Sequence, residues 1–580
     1  MTVLHPRPQF VRENWEILDG AWGFAFDDSQ VGVTEQWYDG LPEQTPIQVP
    51  FTYETKASGI HDESHHATVW YEKEVTLSTE KNVLLHFEGA DYATTVWVNG
   101  KVVGEHYGCY TAFSFNIADY IIEGKNRITV RVQDSMDTAQ PRGKQRWIKD
   151  NFGCWYVQTT GIWKSVWLEY VSPIHIDYVK MTPDIDNRKI DLELETNAWH
   201  DGLIAEATIT FDGELIEKVS AFVKDGVATM QASVLAKGDP WSMKLWNTET
   251  PNLYDIHFSL ISLIEENTEI DHVTSYFGMR KIAIEGDKIL LNNEELYQRL
   301  ILDQGYWQDS DLTPPSVSAL ELDIDKILEM GYNGVRKHQK VEDNRFLYLC
   351  DKKGVLVWSE VGSTYSFSDK AVANFTSEWL EIVKQNYNHP SIITWVPFNE
   401  SWGVSDIHVN KKQQQFTEGI YYLTKSFDGM RPVITNDGWD HTISDIITLH
   451  DYEETGELFT KRYTDREKLL SNAFQHNSFR HPFAKNYVDK GQPVIISEFG
   501  GIAFQSESGW GYGNQVKDEA SFIERFDKIT GAIQALDYIS GFCYTQVSDV
   551  QQEINGLLTI DRKDKVNLSA IRAINERRKK

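Results

Sequence analysis

The chain is expected to fold as three parts: an N-terminal jelly-roll β-sandwich, an immunoglobulin-like β-sandwich and a C-terminal (β/α)8 TIM barrel. Three observations predict this. At 580 residues the chain is longer than one hydrophobic core organises, so several domains are required. Through its first half, apolar residues alternate with polar ones at a period of two, the mark of half-buried strands. From about residue 284, short apolar strands alternate instead with helical stretches, the pattern of a parallel βα repeat.

Residues 1–172 read as all-β. Ile128, Val130 and Val132 alternate with Arg127, Thr129 and Arg131, which buries one face of a strand. Val96 and Val98 lead into Asn99-Gly100 and then Val102-Val103, a hairpin with a type I′ turn signal. Many strands with few helical stretches suit a jelly roll. Residues 173–283 keep the alternation: Ile190, Leu192 and Leu194 against Asp191, Glu193 and Glu195, then Ala205, Ala207, Ile209 and Phe211, then Ile256, Phe258 and Leu260. A unit of this size built from such strands fits an immunoglobulin-like sandwich.

Residues 284–580 hold eight strand candidates, around 296–302, 334–337, 355–358, 392–396, 432–435, 446–449, 493–496 and 541–544. Helical stretches such as 318–330, 375–387 and 521–535 fall between them. That count and length match a (β/α)8 barrel. No Gly-rich phosphate loop follows the first strand, which disfavours an open nucleotide-binding sheet.

Composition narrows the partners. With 56 Lys+Arg against 86 Asp+Glu the formal charge is −30, which repels phosphate backbones and anionic lipid, so neither nucleic acid nor membrane is expected. No apolar run approaches the ~20 residues of a membrane span. The start, MTVLHPRPQFVRENW, lacks the apolar core of a signal peptide, so a cytoplasmic location is expected. Cys109, Cys154, Cys350 and Cys543 show no CxxC spacing and read as free thiols. Aromatics at 12%, with 19 Trp, lean weakly toward sugar, since a flat ring suits the apolar face of a pyranose; most of them must be core.

Barrels carry their chemistry at the C-terminal ends of the strands. Here the second strand runs into Arg336, Lys337 and His338, and the third reaches Glu360. The fourth reaches Asn399-Glu400, the fifth Asn436-Asp437, and the sixth His450-Asp451-Tyr452. The seventh ends at Glu498, and the eighth at Tyr544 and Gln546. Any one of these serves equally as a cap or a buried ion pair. Seven strand ends converging on one mouth exceed what structure alone requires. Glu400 and Glu498 face each other, and paired carboxylates suit glycoside hydrolysis because one donates a proton while the other stays ionised. No metal-ligand spacing, GxSxG elbow or cofactor motif competes with this reading, so no metal or cofactor is expected.

Two segments carry a family resemblance: NHPSIITWVPFNES at 388–401 and ISEFGG at 496–501. They are similar to the acid/base and nucleophile signatures of glycoside hydrolase family 2, which holds β-galactosidases, β-glucuronidases and β-mannosidases. The resemblance covers the whole chain, and the family's domain order is the order read above. It implies a retaining, exo-acting β-glycosidase with Glu400 as acid/base and Glu498 as nucleophile. It also implies Asn399 as a ligand of the sugar 2-hydroxyl, Arg336 as the orienter of the nucleophile and His338 as a substrate contact. Tyr452 matches a tyrosine near the nucleophile, although its setting, LHDYEE, has diverged. Tyr544 stands where many members place a sugar-stacking tryptophan. At strand one, Leu302-Asp303-Gln304 replaces the family's Arg-His-Glu, leaving Asp303 as a candidate for a sugar hydroxyl. After Arg336, Lys337-His338-Gln339-Lys340 replaces Ser-His-Tyr-Pro.

The same resemblance bears on the sugar. Family β-glucuronidases hold the substrate carboxylate with Asn-x-Lys just before a segment ending in Asp-Arg-Lys. That segment is 556–563 here, and Glu553-Ile554-Asn555 precedes it with no lysine. A β-galactosidase is therefore expected first, with a small saccharide or glycoside as partner. Lys337 and Lys340 keep a β-galacturonide or β-glucuronide open if they reach the mouth; pointing to solvent, or pairing with Glu342 and Asp343, is the plainer alternative. A non-catalytic sugar-binding protein is the rival of another class, opposed by Glu400, Glu498, Asn399 and Arg336 standing together. An inverting hydrolase or a transglycosylase is the other. Family members often self-associate, so a homo-oligomer is open.

Overall fold

Alternating burial along the strands gives each β domain two faces, and both close into sandwiches. A computed structural model describes residues 4–79, 82–472, 480–505 and 508–577. In the first domain a four-stranded sheet runs in the order Trp15–Ile17, Val166–Val171, Asn82–Phe87, Phe113–Asn116. It faces a six-stranded sheet ordered Thr45–Val49, Gly20–Phe26, Thr68–Leu77, Gly124–Gln133, Ala93–Val98, Lys101–Tyr107. Trp22, Phe24, Tyr71, Leu85, Val96 and Val130 share the core between them. The expected hairpin is present: Asn99 (φ 51°) and Gly100 (φ 76°) are both left-handed, as a two-residue type I′ turn demands.

The second domain packs a three-stranded sheet (Ile176–Asp184, Lys189–Thr196, Val227–Ser233) on a four-stranded one (Glu214–Phe222, Leu203–Phe211, Tyr254–Ser262, Thr268–Phe277). The alternating Ile190, Leu192, Leu194, Ala205, Ala207 and Ile209 fill its core.

The last part is the βα repeat: β1 (Gln298–Asp303), α1 (Val317–Glu329), β2 (Gly334–Lys337), α2 (Asn344–Lys353), β3 (Leu356–Glu360), α3 (Asp369–Asn386), β4 (Ile392–Val396), α4 (Lys411–Phe427), β5 (Asn436–Asp437), β6 (Ile447–His450), β7 (Val494–Gly500), α5 (Glu519–Gln534) and β8 (Ile539–Thr545). Side-chain caps set where these helices start. Ser316, Asp343, Ser368, Asn410 and Asp518 each accept a hydrogen bond from a backbone N–H of the first turn. The parallel strands run β4-β3-β2-β1-β8-β7-β6. β5 pairs with Phe398–Asn399, just beyond β4, and Val433 bridges Trp395.

The fifth strand is shorter and later than its apolar run suggests. Pro432 has no N–H, and the N–H groups of Val433 and Thr435 are taken by the side chains of Asp445 and Ser444 rather than by a neighbouring strand.

The period of two decides what each strand shows to the mouth. Leu300, Leu302, Trp358, Ile393, Ile495 and Cys543 fill the barrel interior. Ile301, Val335, Val357, Ile496 and Phe542 face the helices. Arg336 is therefore inward and Lys337 outward. The first domain leans on the same rim: Cys109, Tyr110, Tyr156 and Trp163 belong to the apolar cluster of the helical shell. All four cysteines are free. No helix among the described residues is long and apolar enough to cross a membrane.

Candidate active site

At the centre of the mouth Arg336 is fully buried and takes up a carboxylate on nearly every side. Its Nε donates to Glu360. Nη1 lies 2.8 Å from both Glu498 Oε1 and Asp437 Oδ2, and Nη2 donates to Asn399 Oδ1 at 2.6 Å. A guanidinium so placed stays charged and fixes four neighbours in one plane. Glu498 also accepts from the Tyr452 hydroxyl at 2.5 Å. Burial alone would raise the Glu498 pKa, but His450, Arg336 and the Tyr452 bond hold it below the usual carboxylate range. The Tyr452 phenol is pushed well up by burial and by Glu498, so it remains a donor. Its ring stacks on Tyr512 with centroids 3.4 Å apart.

Glu400 sits at the rim on the far side. It follows Asn399 directly and adopts a left-handed backbone (φ 50°), as does Ser401 (φ 61°). This turn is costly for non-glycine residues by roughly 1–2 kcal/mol each. The fifth strand holds it: Glu400 N–H donates to Asp437 O, and Ser401 N–H to Asn436 Oδ1, both at 2.9 Å. The turn aims the Glu400 side chain back across the mouth.

His450 occupies the space between the two glutamates. Its Nδ1 is 2.8 Å from Glu400 Oε1 and 3.5 Å from Glu498 Oε2, and its Nε2 is 2.9 Å from Asp437 Oδ2. Burial lowers its pKa, but Glu498, Asp437 and the bond to Glu400 outweigh that and carry it up to about 10. His338 goes the other way. Burial, Lys144 and Arg336 hold it well below its ordinary value, so it is neutral, with Nδ1 3.0 Å from Glu360 Oε2. Asn399 Nδ2 is buried without a protein partner.

Glu400, Glu498, Asn399, Arg336, His338 and Tyr452 thus gather at one point. The other expected mouth residues do not. Lys337 and Asp303 point outward behind the barrel wall, bonded at 2.5 Å, with Lys337 also 2.7 Å from Glu342 and over the Phe346 ring of α2. Lys340 is bound by Glu342 at 3.0 Å and by the carbonyls of Gly305 and Leu312. Tyr544 is outward as well, packed against Phe499 and Phe526 of α5. For Lys337, Asp303 and Tyr544 the reason is the same: they alternate with inward residues, Arg336 in β2, Leu302 in β1 and Cys543 in β8, while Lys340 lies in the turn beyond β2. The inward neighbour of Tyr544 is Thr545, 3.2 Å from the Tyr452 hydroxyl.

Sequence reasoning flagged Glu360, Asp437 and His450 as polar strand ends but assigned them no part in the site. It missed Lys144 and Glu553. Lys144 comes from a loop of the first domain and places its ammonium 4.9 Å above the Trp402 ring. Glu553 receives the Tyr156 hydroxyl, Gln304 Nε2 at 3.3 Å and Asn555 Nδ2 at 3.0 Å. Aromatic side chains pave the rim between the domains: Trp147 stacks on Tyr365, and Trp155 and Tyr365 flank Trp402. Glu400, His450 and Glu498 present ligand atoms within 4.8 Å of one another. Within the grouping His450 Nδ1 is 2.8 Å from Glu400 Oε1 and 3.5 Å from Glu498 Oε2.

Comparison with known proteins agrees with this architecture. Residues 15–173 match the sugar binding domain of glycosyl hydrolases family 2, residues 174–280 the model described simply as glycosyl hydrolases family 2, and residues 282–579 the family's TIM barrel domain. A β-galactosidase from Thermoanaerobacter pseudethanolicus is 28% identical over 533 residues, covering 86% of this chain and 67% of that protein. A β-glucuronidase from Rattus norvegicus is 24% identical over 547 residues, covering 86% and 80%. The apo structure of a Ruminococcus gnavus β-glucuronidase superposes with a TM-score of 0.80 over 98% of both chains at 18% identity, a likeness of fold. With all three of its parts matched in order, the chain belongs to glycosyl hydrolase family 2.

Proposed function

We propose that the chain is a retaining, exo-acting β-glycosidase in which Glu498 is the nucleophile and Glu400 the general acid/base. The observation that carries this is the spacing of the two carboxylates, whose facing oxygens lie within 4.8 Å. Retaining glycosidases separate these groups by roughly 5–5.5 Å, whereas inverting ones need roughly 6.5–9.5 Å to admit a water.

Glu498 attacks the anomeric carbon as the bond to the aglycone oxygen breaks, and Glu400 gives that oxygen its proton. Glu400 then takes a proton from water, whose oxygen bonds the anomeric carbon and releases Glu498. Arg336 and Tyr452 hold Glu498 ionised and aimed. Arg336 also fixes Asn399 by its oxygen, turning Nδ2 toward the sugar 2-hydroxyl.

In this reading Glu498→Ala loses turnover by on the order of 10⁴-fold or more. A 2-deoxy-2-fluoro β-glycoside is expected to label Glu498, and a label on any other carboxylate would sink the assignment. For Glu400→Ala, substrates with good leaving groups are expected to suffer least, with azide restoring turnover as a β-glycosyl azide. Unchanged leaving-group dependence and no azide product would count against Glu400.

Two glycones compete. The absence of lysine at 553–555, together with the pairing of Lys337 and Lys340 behind the wall, favours galactose. A uronide is favoured by a different cation, Lys144.

A further inference from the structure

Lys144 is fastened in place by both domains. The N–H groups of Arg142 and Gly143 donate to Ser363 O, at 2.9 and 3.3 Å, on the loop after β3. Tyr156 N–H donates to Lys144 O at 2.8 Å. Gly143 has φ +62°, and a Cβ there would lie 2.4 Å from the Gln339 carbonyl oxygen and 2.6 Å from the Tyr110 hydroxyl. Only glycine lets the loop come this close to the barrel.

Lys144 is 7% exposed, and its ammonium sits over Trp402, two residues past Glu400. Its electrostatic neighbours are Cys154, Glu553 and Glu498. Among the described residues no carboxylate lies within the 4.0 Å of an ion pair. Neighbouring buried cations differ. Arg336, Lys337 and Lys340 are bound to carboxylates, and Lys164 donates to the carbonyls of Tyr110 and Glu342. Glu553 is already occupied on both oxygens, by Tyr156 and Gln304 on one and Asn555 on the other. A cation on a largely buried side chain with no oxygen partner is costly, and an anion brought by the substrate would relieve that cost.

We propose that Lys144 is the specificity-determining cation of this site and that it receives the carboxylate of a uronic-acid glycone. The inference rests on the retaining-glycosidase reading above and names its substrate class. The ammonium, supplied by the first domain, takes the part that residues 553–555 lack the lysine to play.

The test is kcat/KM for p-nitrophenyl β-galacturonide, β-glucuronide and β-galactoside, with the full chain as wild type, Lys144→Met and Lys144→Arg. Wild type is expected to favour at least one uronide over the galactoside by tenfold or more. Lys144→Met is expected to cut the uronide-to-galactoside ratio by about 100-fold, or about 2.7 kcal/mol at ~1.36 kcal/mol per tenfold; Lys144→Arg should recover part of it. A wild-type preference for the galactoside, or a Lys144→Met loss shared equally by all three substrates, overturns the proposal. Should the methionine variant fail to fold, inhibition of wild type decides: free galacturonate or glucuronate must bind at least tenfold tighter than galactose, and equal binding overturns it. Turnover of the galactoside alone, with fluoro-sugar label on Glu498, defeats this inference and leaves the mechanism standing. No turnover of any of the three and no label defeats both.

Discussion

His450 ties the two proposed catalytic carboxylates together more directly than any residue of the two motifs. With Nδ1 toward Glu400 and Glu498 and Nε2 on Asp437, both nitrogens need protons, and the imidazolium is what the site holds. Its pKa stands at about 10 in the fold against about 6.5 in an unfolded chain. A raised value means the folded state binds the extra proton, so the stabilisation is complete below pH ~6.5 and is lost as pH rises through ~10. Unfolding free energy is therefore expected to fall across this window, by at most about 1.4 kcal/mol per pH unit. His450→Gln should flatten the fall, as read by urea unfolding at a series of pH values; equal slopes in both proteins would exclude a charged His450. Asn399 gives a second expectation. Asn399→Ala should lower kcat/KM by about 10- to 100-fold on an ordinary glycoside but far less on its 2-deoxy counterpart, because the lost bond is to the 2-hydroxyl. Glu400 and Glu498 were legible in the sequence because each lies in a local motif at a strand end. His450 and Asp437 were legible only as polar strand ends. Their pairing joins positions 13 and 50 residues apart in sequence, and nothing in a period of two announces such a partner.

Strand alternation turns Lys337 away from the mouth, whereas Lys340 lies in the turn beyond β2, held by Glu342 and two backbone carbonyls. The sequence pattern already sets Arg336 and Lys337 on opposite faces of β2, since Leu300 and Leu302 in the paired strand are inward. The same rule turns Asp303 and Tyr544 outward. Lys144 was out of reach of that rule, because it enters from a loop almost two hundred residues before β2, and loop placement has no periodicity. Two substitutions separate these elements. Lys337→Met leaves Asp303 and Glu342 with one cation fewer in a buried cluster, so a loss of about 3–5 kcal/mol in stability is expected, with the uronide-to-galactoside ratio kept. Gly143→Ala does the reverse in kind. The added Cβ collides with a backbone oxygen at a positive φ, so the loop must withdraw and carry Lys144 with it. A fall of tenfold or more in uronide kcat/KM is expected, at a stability cost of about 1–3 kcal/mol. Wild-type kinetics in Gly143→Ala would mean that the loop does not position the site.

Across the whole molecule the first domain is built into the catalytic part rather than attached to it. Its Tyr110, Tyr156 and Trp163 share one apolar cluster with the helical shell of the barrel, and its loop walls the mouth with Trp147 and Trp155. The joint is also polar: Glu378 on α3 accepts the backbone N–H groups of Cys109 and Tyr110, both at 2.8 Å, while Thr111 donates to Glu381 at 2.8 Å. Both N–H groups are buried, and an unsatisfied buried donor costs about 1–3 kcal/mol. Glu378→Ala removes the acceptor of both, so a loss of about 2–5 kcal/mol is expected, whereas Glu378→Gln keeps one oxygen at the same place and should recover most of it. Because the joint carries both the sandwich and the Lys144 loop, the loss should appear in one cooperative calorimetric transition shared by the first domain and the barrel. Activity should decline along that same curve. A separate early transition of the first domain, with the barrel still turning over uronides at the wild-type rate, would show that the domain is a detachable neighbour and that the cation at the mouth is not its contribution.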